Sequence, residues 1–132
     1  MITLCKIDGK PFDVLVTAIE ETPEIIEGEN SGTSIYRQRE IRDIKGIKIG
    51  HNVTFAADKD PLVFDELYDY LFKTIRPSVM IECVSGQKSI QYEAAYNTTS
   101  RSVAHIDENT DTVYYNEMTV AFRPMENQID AG

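Results

Sequence analysis

The sequence lacks the residue spacings by which most metal sites and nucleophilic active sites are recognised. It has two histidines, His51 and His105, on separate segments, and two cysteines, Cys5 and Cys83. No His-x-His, Cys-x-x-Cys or His-Glu-x-x-His spacing occurs, which argues against a structural zinc site. Neither a Gly-x-Ser-x-Gly motif nor a glycine-rich phosphate loop is present. We therefore expect no catalytic residues, no metal, no cofactor and no enzymatic activity.

Long apolar runs and an excess of basic residues are also missing. No segment approaches the roughly 18 apolar residues that a membrane helix needs, and the first residues lack the regions of a signal peptide. The 132 residues include 13 Lys and Arg against 22 Asp and Glu, a net charge of −9. This balance argues against nonspecific nucleic-acid binding. We expect no membrane partner, and two reduced core thiols, with a disulfide or a reactive thiol as the alternative.

Three groups of residues could carry chemistry, and each also has a structural interpretation. His51 lies on an apolar row, which favours a satisfied core or edge histidine over a base or ligand. The oxygen-rich segment 107–111 favours a solvated turn over a calcium loop, because the spacing is not that of an EF-hand. Several tyrosines could line a sugar site or simply pack in the core and at its edge; they are Tyr68, Tyr70, Tyr92, Tyr96, Tyr114 and Tyr115.

One stretch reads as a helix, at about 61–75. Asp60 can cap it, Pro61 suits the first helical position, and Pro77 stops it. Helical spacing places one set of apolar residues on a single stripe: Phe64, Leu67, Tyr68, Leu71 and Ile75. Because the surrounding segments read as strands, we expect Leu67 and Leu71 to be buried against a β-sheet.

The remaining pattern indicates a mainly β protein of the α+β class. Strands are predicted at 2–6, 12–19, 34–44, 47–57, 78–84, 89–97 and 112–123. The expected architecture is a β-sandwich or a partly closed barrel with one flanking α-helix. Residues 1–124 are predicted to form a single domain, which at this length can bury a core. Residues 125–132 lack a pattern, and we predict a flexible C-terminal tail.

Residues 20–43 are too polar for a core and are predicted to form a polar arm or long loop. An acidic limb precedes a basic one, and isolated isoleucines punctuate both. The two limbs could pair within one chain as a hairpin, or the acidic limb of one subunit could meet the basic limb of the next. Contacts of the second kind build rings, with charge setting the register. The predicted subunit-interface residues are Glu20, Glu21, Glu24, Ile25, Ile26, Glu27, Glu29, Ile35, Arg37, Arg39, Ile41 and Arg42.

A diffuse series of strands and turns runs from about residue 7 to residue 124. Its parts are Ile7-Asp8-Gly9 with Phe12 and Val14, the loop 28–32, the segment 42–46, Val53-Thr54-Phe55, the helix at 64–71, and the strands at 79–83, 92–96 and 119–123. This pattern resembles small prophage-encoded proteins of Gram-positive bacteria that accompany tail genes. The strand order is also similar to the tail-tube fold, shared by tube proteins and by the ring domain of distal tail proteins.

The resemblance implies a structural virion protein that assembles in rings, usually hexameric. Its partners would be copies of itself and other phage tail proteins, and it would reside in the virion tail after synthesis in the cytoplasm of the bacterial host. DNA would be passing cargo only, because an acidic channel does not hold DNA to its wall. The alternative function is a β-sandwich module that binds sugar or peptide through exposed tyrosines.

Overall fold

The computed structural model describes residues 5–9, 15–28, 32–34, 39–41, 44–56, 61–97, 99–126 and 128–130. These ranges hold eleven strands and one helix. The prediction of a mainly β fold with one helix is confirmed. The elements are β1 Cys5–Ile7, β2 Leu15–Glu27, β3 Gly32–Ser34, β4 Arg39–Ile41, β5 Ile44–Ala56, α1 Pro61–Phe72, β6 Val79–Ser85, β7 Lys88–Tyr96, β8 Val103–Asp107, β9 Thr112–Tyr115, β10 Met118–Pro124 and β11 Ile129–Asp130.

Seven strands form one antiparallel sheet in the order β1-β6-β7-β10-β5, completed by β2 and β11. Strand β2 pairs with β5 along its whole length. On the other side of β5, β10 pairs with Met118 opposite Phe55, and β11 pairs further along with Ile129 opposite Ile47. Two small ribbons, β3–β4 and β8–β9, stand outside this sheet.

The sheet curls strongly, as one buried histidine demonstrates. His51 on β5 contacts the main-chain oxygen of Val84 on β6 at 2.9 Å, although β10 and β7 lie between these strands in the sheet. Three strand spacings of about 4.8 Å would separate β5 from β6 by roughly 14 Å if the sheet were flat. An imidazole cannot span that distance, so the sheet must fold around its inner face. Of the two predicted arrangements, this single curled sheet is nearer to the partly closed barrel.

Helix α1 packs its apolar stripe against the core, as predicted. Phe64, Leu67 and Leu71 are buried, and they pack with inward residues of β5, β6, β7 and β10. Burial of three large apolar side chains stabilises the fold by roughly 1.5–3 kcal/mol each. Pro61 occupies the first helical position, as expected, while Asp60 lies outside the described residues.

The helix ends earlier than predicted, at Phe72, and the assignment of Ile75 to the buried stripe is wrong. The Ile75 side chain is fully exposed. A continuing helix would send two further amides to the carbonyls of Tyr70 and Leu71. Side chains bind these carbonyls instead: Arg76 Nε donates to Tyr70 O at 3.0 Å, and Tyr96 Oη donates to Leu71 O at 2.6 Å. Because both carbonyls have hydrogen-bond donors, the helix can end at Phe72, and the chain continues towards β6.

The β8–β9 ribbon is joined to α1 by one arginine that the sequence pattern did not single out. The guanidinium carbon of Arg101 lies 4.0 Å from the ring centres of both Tyr68 and Tyr115. Its Nη1 donates to Asp65 Oδ1, and its side chain is only 12% exposed. A cation stacked between two aromatic rings and paired with a carboxylate contributes packing as well as charge.

Candidate functional site: the β2–β5 ribbon

The first part of the predicted arm, residues 20–27, is a strand of a β-ribbon rather than a loop. Strands β2 and β5 are 13 residues long each and stay paired from Leu15 opposite Ala56 to Glu27 opposite Ile44. Strand β10 pairs with β5 only as far as His51. We call residues 20–27 of β2 with residues 44–50 of β5 the outer ribbon. Its polar edge strand forms because main-chain hydrogen bonds to β5 do not require apolar side chains.

Eight of the twelve predicted interface residues are among the described residues, and they lie on two strands, β2 and β4. Six lie on β2 in the outer ribbon: Glu20, Glu21, Glu24, Ile25, Ile26 and Glu27. Arg39 and Ile41 lie on β4, where they pair with β3. Glu29, Ile35, Arg37 and Arg42 lie outside the described residues. Among the described residues, the acidic limb on β2 therefore pairs with β5, and the basic limb on β4 pairs with β3.

One face of the outer ribbon continues the barrel core outwards. Directly opposite residues of antiparallel strands share a face. The pair of half-buried Ile19 and buried Val53 is followed on that face by Pro23–Ile49 and Ile25–Ile47, and Ile129 of β11 lies beside Ile47. We call Pro23, Ile25, Ile47, Ile49 and Ile129 the apolar row.

The apolar row leaves the protein core and enters solvent. Ile25 is 46% exposed and Ile129 is 54% exposed, while Ile47 and Ile49 are half-buried. Glu21 stands on the same face, opposite His51. Exposed isoleucines placed together in this way are typical of an interaction surface, unlike single apolar residues scattered over a protein.

An open cavity adjoins the inner end of the apolar row. It has a volume of about 440 Å³ and is lined by Ile49 and Gln128 together with Ser85, Ile90 and Gln91 at the β6–β7 end of the barrel. Its lining combines two isoleucines with amide and hydroxyl groups, and no acidic or basic side chain lines it. The cavity can receive an apolar side chain better than it can bind a charged ligand.

The opposite face of the outer ribbon carries polar side chains apart from Ile26, and it is fixed to the barrel. Arg123 of β10 donates to Glu24 at 2.7 Å, and Asn52 donates to Glu20 at 3.4 Å. The side chains of the Arg123–Glu24 pair are 60% and 44% exposed. Such an exposed pair contributes at most about 1 kcal/mol. It orients the ribbon more than it stabilises it.

Gln128 completes the ladder at the point where β10 separates from β5. The side-chain amide of Gln128 accepts from Ile49 N at 2.9 Å through Oε1 and donates to Ile49 O at 3.0 Å through Nε2. The main-chain N–H of Gln128 donates to Ile47 O. Both main-chain polar groups of Ile49 thus point away from β2. Pro23, opposite Ile49, has no amide hydrogen to donate and loses nothing there. The predicted patternless tail therefore contains residues that pair with β5.

Gly50 occupies the same junction because a side chain does not fit. A Cβ atom there would lie 2.5 Å from Phe122 O and 3.0 Å from Thr22 Oγ1. The close approach brings the end of the β10 ladder against β5. Sequence reasoning missed both Gly50 and Gln128, because a single glycine and a single amide carry no periodic pattern.

His51 is a satisfied core histidine. It is fully buried, and a carbonyl only accepts, so Nε2 must donate to Val84 O. In the neutral imidazole with this tautomer, Nδ1 accepts from Tyr92 Oη at 2.6 Å. Burial raises the pKa of the Tyr92 hydroxyl above its ordinary value, which keeps this donor protonated. Both ring nitrogens are occupied within the chain, an arrangement that leaves neither available as a base.

The other groups considered for chemistry are also engaged in structure. Asp107 Oδ1 accepts from Asn109 N at 3.0 Å, which fits the turn predicted at 107–111; in the structure this turn connects β8 to β9. Across the described ranges, no three His, Cys, Asp or Glu side chains are grouped to hold a metal. Each tyrosine that could have lined a sugar site has a partner within the chain, including Tyr70 with Asp8 and Tyr114 with His105.

Comparison with known proteins gives no matching family model, no matching curated protein and no matching solved structure. The helix found in the described part of the chain is too short and too polar to cross a membrane.

Proposed function

We propose that this chain is a non-enzymatic structural subunit that assembles in rings with copies of itself, as a phage or prophage tail component of the tube or of a ring at its end. One observation carries the assembly part of this proposal: the apolar row projects from the core along the outer ribbon and the monomer leaves it half-exposed. The tail assignment is supported by the resemblance of the strand and turn pattern to tail-associated proteins.

A second copy of this chain is the occupant that the charges favour. With a net charge of −9, two subunits repel unless basic groups of one meet acidic groups of the other. The chain carries both, as the acidic β2 limb and the arginines at 37, 39 and 42. The main chain of the acidic limb pairs with β5, and Glu21 lies on the face of the apolar row, where its carboxylate can meet the basic limb of a neighbour. Complementary charge would set the register, and the apolar row would supply the buried area.

Pro23 favours a contact through faces over pairing of strand edges. Among the described residues, β2 pairs with β5 alone, so its other edge faces outwards. At Pro23 that edge lacks an amide hydrogen, and exposed Glu21 and Glu27 flank it. Proline and charge on an edge strand oppose strand addition by another chain. The face of the outer ribbon that carries the apolar row is therefore the proposed contact surface.

A ring of this kind would also contact other tail proteins, and DNA would pass through it without specific binding. The acidic balance of the chain supports this, since like charge keeps DNA from its wall. The virion tail would be its place, after synthesis in the host cytoplasm.

A sugar- or peptide-binding module is the second candidate; it is less favoured because Tyr68 and Tyr115 hold Arg101 and Tyr92 is buried.

The test is self-association measured by sedimentation velocity over a wide concentration range. We expect the wild type to form a ring-sized or larger species and Ile25→Lys to remain monomeric. The matched control is Ile106→Lys on β8, which places the same charge at another exposed isoleucine and should assemble like the wild type. A wild type that stays monomeric at the highest usable concentration would contradict the proposal, as would normal assembly of Ile25→Lys.

The charge contribution is tested by reversing Arg37, Arg39 and Arg42 to Glu. We expect loss of assembly with almost unchanged thermal stability, because the described acidic limb pairs with β5 within the chain. Loss of stability together with assembly would mean that the two limbs support each other inside one subunit. Retained assembly would remove the basic limb from the interface.

A further inference from the structure

Two cysteines stand directly opposite each other at one end of the sheet. Cys5 on β1 is the register partner of Cys83 on β6. Both are thiols rather than a disulfide; Cys83 is buried, and Cys5 is half-buried. The two positions are far apart in sequence, so only the fold brings them together. We propose that Cys5 and Cys83 form a cross-strand redox site, whose thiols close to a disulfide in exchange with a small-molecule disulfide of the glutathione type.

The hydrogen-bond pattern of the two strands identifies the kind of pair that the cysteines form. Asp8 N donates to Met80 O at 2.6 Å, which marks that opposite pair as hydrogen-bonded. Hydrogen-bonded and non-hydrogen-bonded pairs alternate along antiparallel strands. Lys6–Glu82 is then hydrogen-bonded, and Cys5–Cys83 is not.

Non-hydrogen-bonded pairs bring side chains closest together, and this suits a disulfide. Their Cα atoms lie about 4.5 Å apart. A disulfide needs a Cα separation of roughly 4.4–6.8 Å with both Cβ atoms on the same side. Directly opposite residues of a sheet meet the second requirement as well. Cys5 and Cys83 can therefore be joined with little movement of the main chain.

The thiols interact in the reduced form. A hydrogen bond from Cys5 lowers the pKa of the Cys83 thiol against the opposing effect of burial. The same hydrogen bond, followed by burial, raises the pKa of Cys5. Cys5 is the more accessible of the two thiols to a reagent.

The exchange proceeds in two balanced steps. Cys5 loses its proton to solvent and attacks one sulfur of the small-molecule disulfide, which forms a mixed disulfide and releases one small thiolate that solvent protonates. Cys83 then loses its proton to solvent, attacks Cys5 Sγ and releases the second small thiolate, which is protonated in the same way. The protein dithiol is oxidised, and one small disulfide is reduced to two thiols. Because the pKa of Cys5 is raised, the first step is slow near neutral pH and accelerates as pH increases.

The bond would join β1 to the sheet through a covalent link. Strand β1 has three residues and, among the described residues, pairs with β6 alone. A cross-link that closes a long loop stabilises chiefly by restricting the unfolded chain. The two cysteines would be a dithiol in a reducing cytoplasm and a disulfide in an oxidising exterior. This inference does not depend on the proposed assembly function.

The test uses the full chain, purified with reductant and then equilibrated in defined mixtures of oxidised and reduced glutathione. We expect a mass loss of two hydrogens in the monomer, a non-reducing peptide map that joins Cys5 to Cys83, and a higher urea midpoint that reductant reverses. Closure should be independent of protein concentration.

Two single variants provide the control. Cys5→Ser and Cys83→Ala should each abolish the glutathione-dependent rise in midpoint; Cys5→Ser, at the less buried position, keeps the test usable if Cys83→Ala folds poorly. A chain that stops at a mixed glutathione adduct, forms disulfides only between molecules, or closes only in denaturant would overturn the proposal.

Discussion

Substitution of His51 tests the curled sheet, because its imidazole joins two strands that are not neighbours. His51→Leu retains most of the volume but removes the partners of two buried groups, the Tyr92 hydroxyl and the Val84 carbonyl. An unsatisfied buried polar group costs about 1–3 kcal/mol. We therefore expect His51→Leu to lower the free energy of unfolding by about 2–6 kcal/mol.

The same geometry predicts that a second substitution rescues the first. Tyr92→Phe alone leaves Nδ1 of His51 without a donor and should cost about 1–3 kcal/mol. Combined with His51→Leu, it removes the hydroxyl that would otherwise be stranded, which leaves only the Val84 carbonyl unsatisfied. The double variant should thus be more stable than His51→Leu alone.

The assay is urea unfolding followed by circular dichroism, with equal m-values required for the comparison. The two substitutions belong to one hydrogen-bonded unit, and contacting residues show coupling of about 0.5–3 kcal/mol. Additive effects, within about 0.5 kcal/mol, would mean that the His51–Tyr92 bond does not exist. The polar link from β5 to β7 would then be absent.

Three further predictions concern the helix, the β10 junction and alkaline pH. Leu67→Ala should cost about 2–5 kcal/mol in urea unfolding, whereas Leu62→Ala on the same helix, at a side chain that is 73% exposed, should cost under about 1 kcal/mol; equal losses would contradict the buried stripe. Gly50→Ala should destabilise the outer ribbon, seen as faster amide exchange of β5, because its Cβ would meet Phe122 O at 2.5 Å. Burial raises the pKa of Tyr92, so above about pH 10 the unfolded chain releases a proton that the folded chain keeps, and the urea midpoint should fall as pH rises through that value; a constant midpoint would contradict the buried hydroxyl.

The fold class could be predicted from the sequence because its signals are periodic. Alternation indicated strands at 12–19, 47–57, 78–84 and 89–97, which overlap β2, β5, β6 and β7, and helical spacing identified Leu67 and Leu71 as buried. The end of the helix could not be predicted, because it depends on Arg76 and Tyr96 reaching the last carbonyls. Contacts between side chains and main chain distant in sequence leave no periodic trace.

Composition located the candidate site in the sequence, but it did not predict that the site is a β-strand. The polarity of residues 20–27 suggested an arm, and polarity hid the strand, because an edge strand needs only main-chain pairing with β5. The position of His51 on an apolar row did indicate a core histidine, and the structure supplies Tyr92 and Val84 as its partners. The contact between subunits remains a prediction.

The Gln128 amide has a consequence for how the molecule opens. Residues 51–55 of β5 pair with a strand on both sides, whereas Ile49 depends on one side chain for both of its outward-facing main-chain bonds. Local opening free energies differ between such segments. Loss of the Gln128 contacts and of the short β11 pairing would free this edge of the outer ribbon while residues 51–55 stay paired on both sides, so amide protection should be lower in the outer ribbon than in the rest of β5. The surface proposed for assembly is thus the part that can rearrange at the lowest cost to the rest.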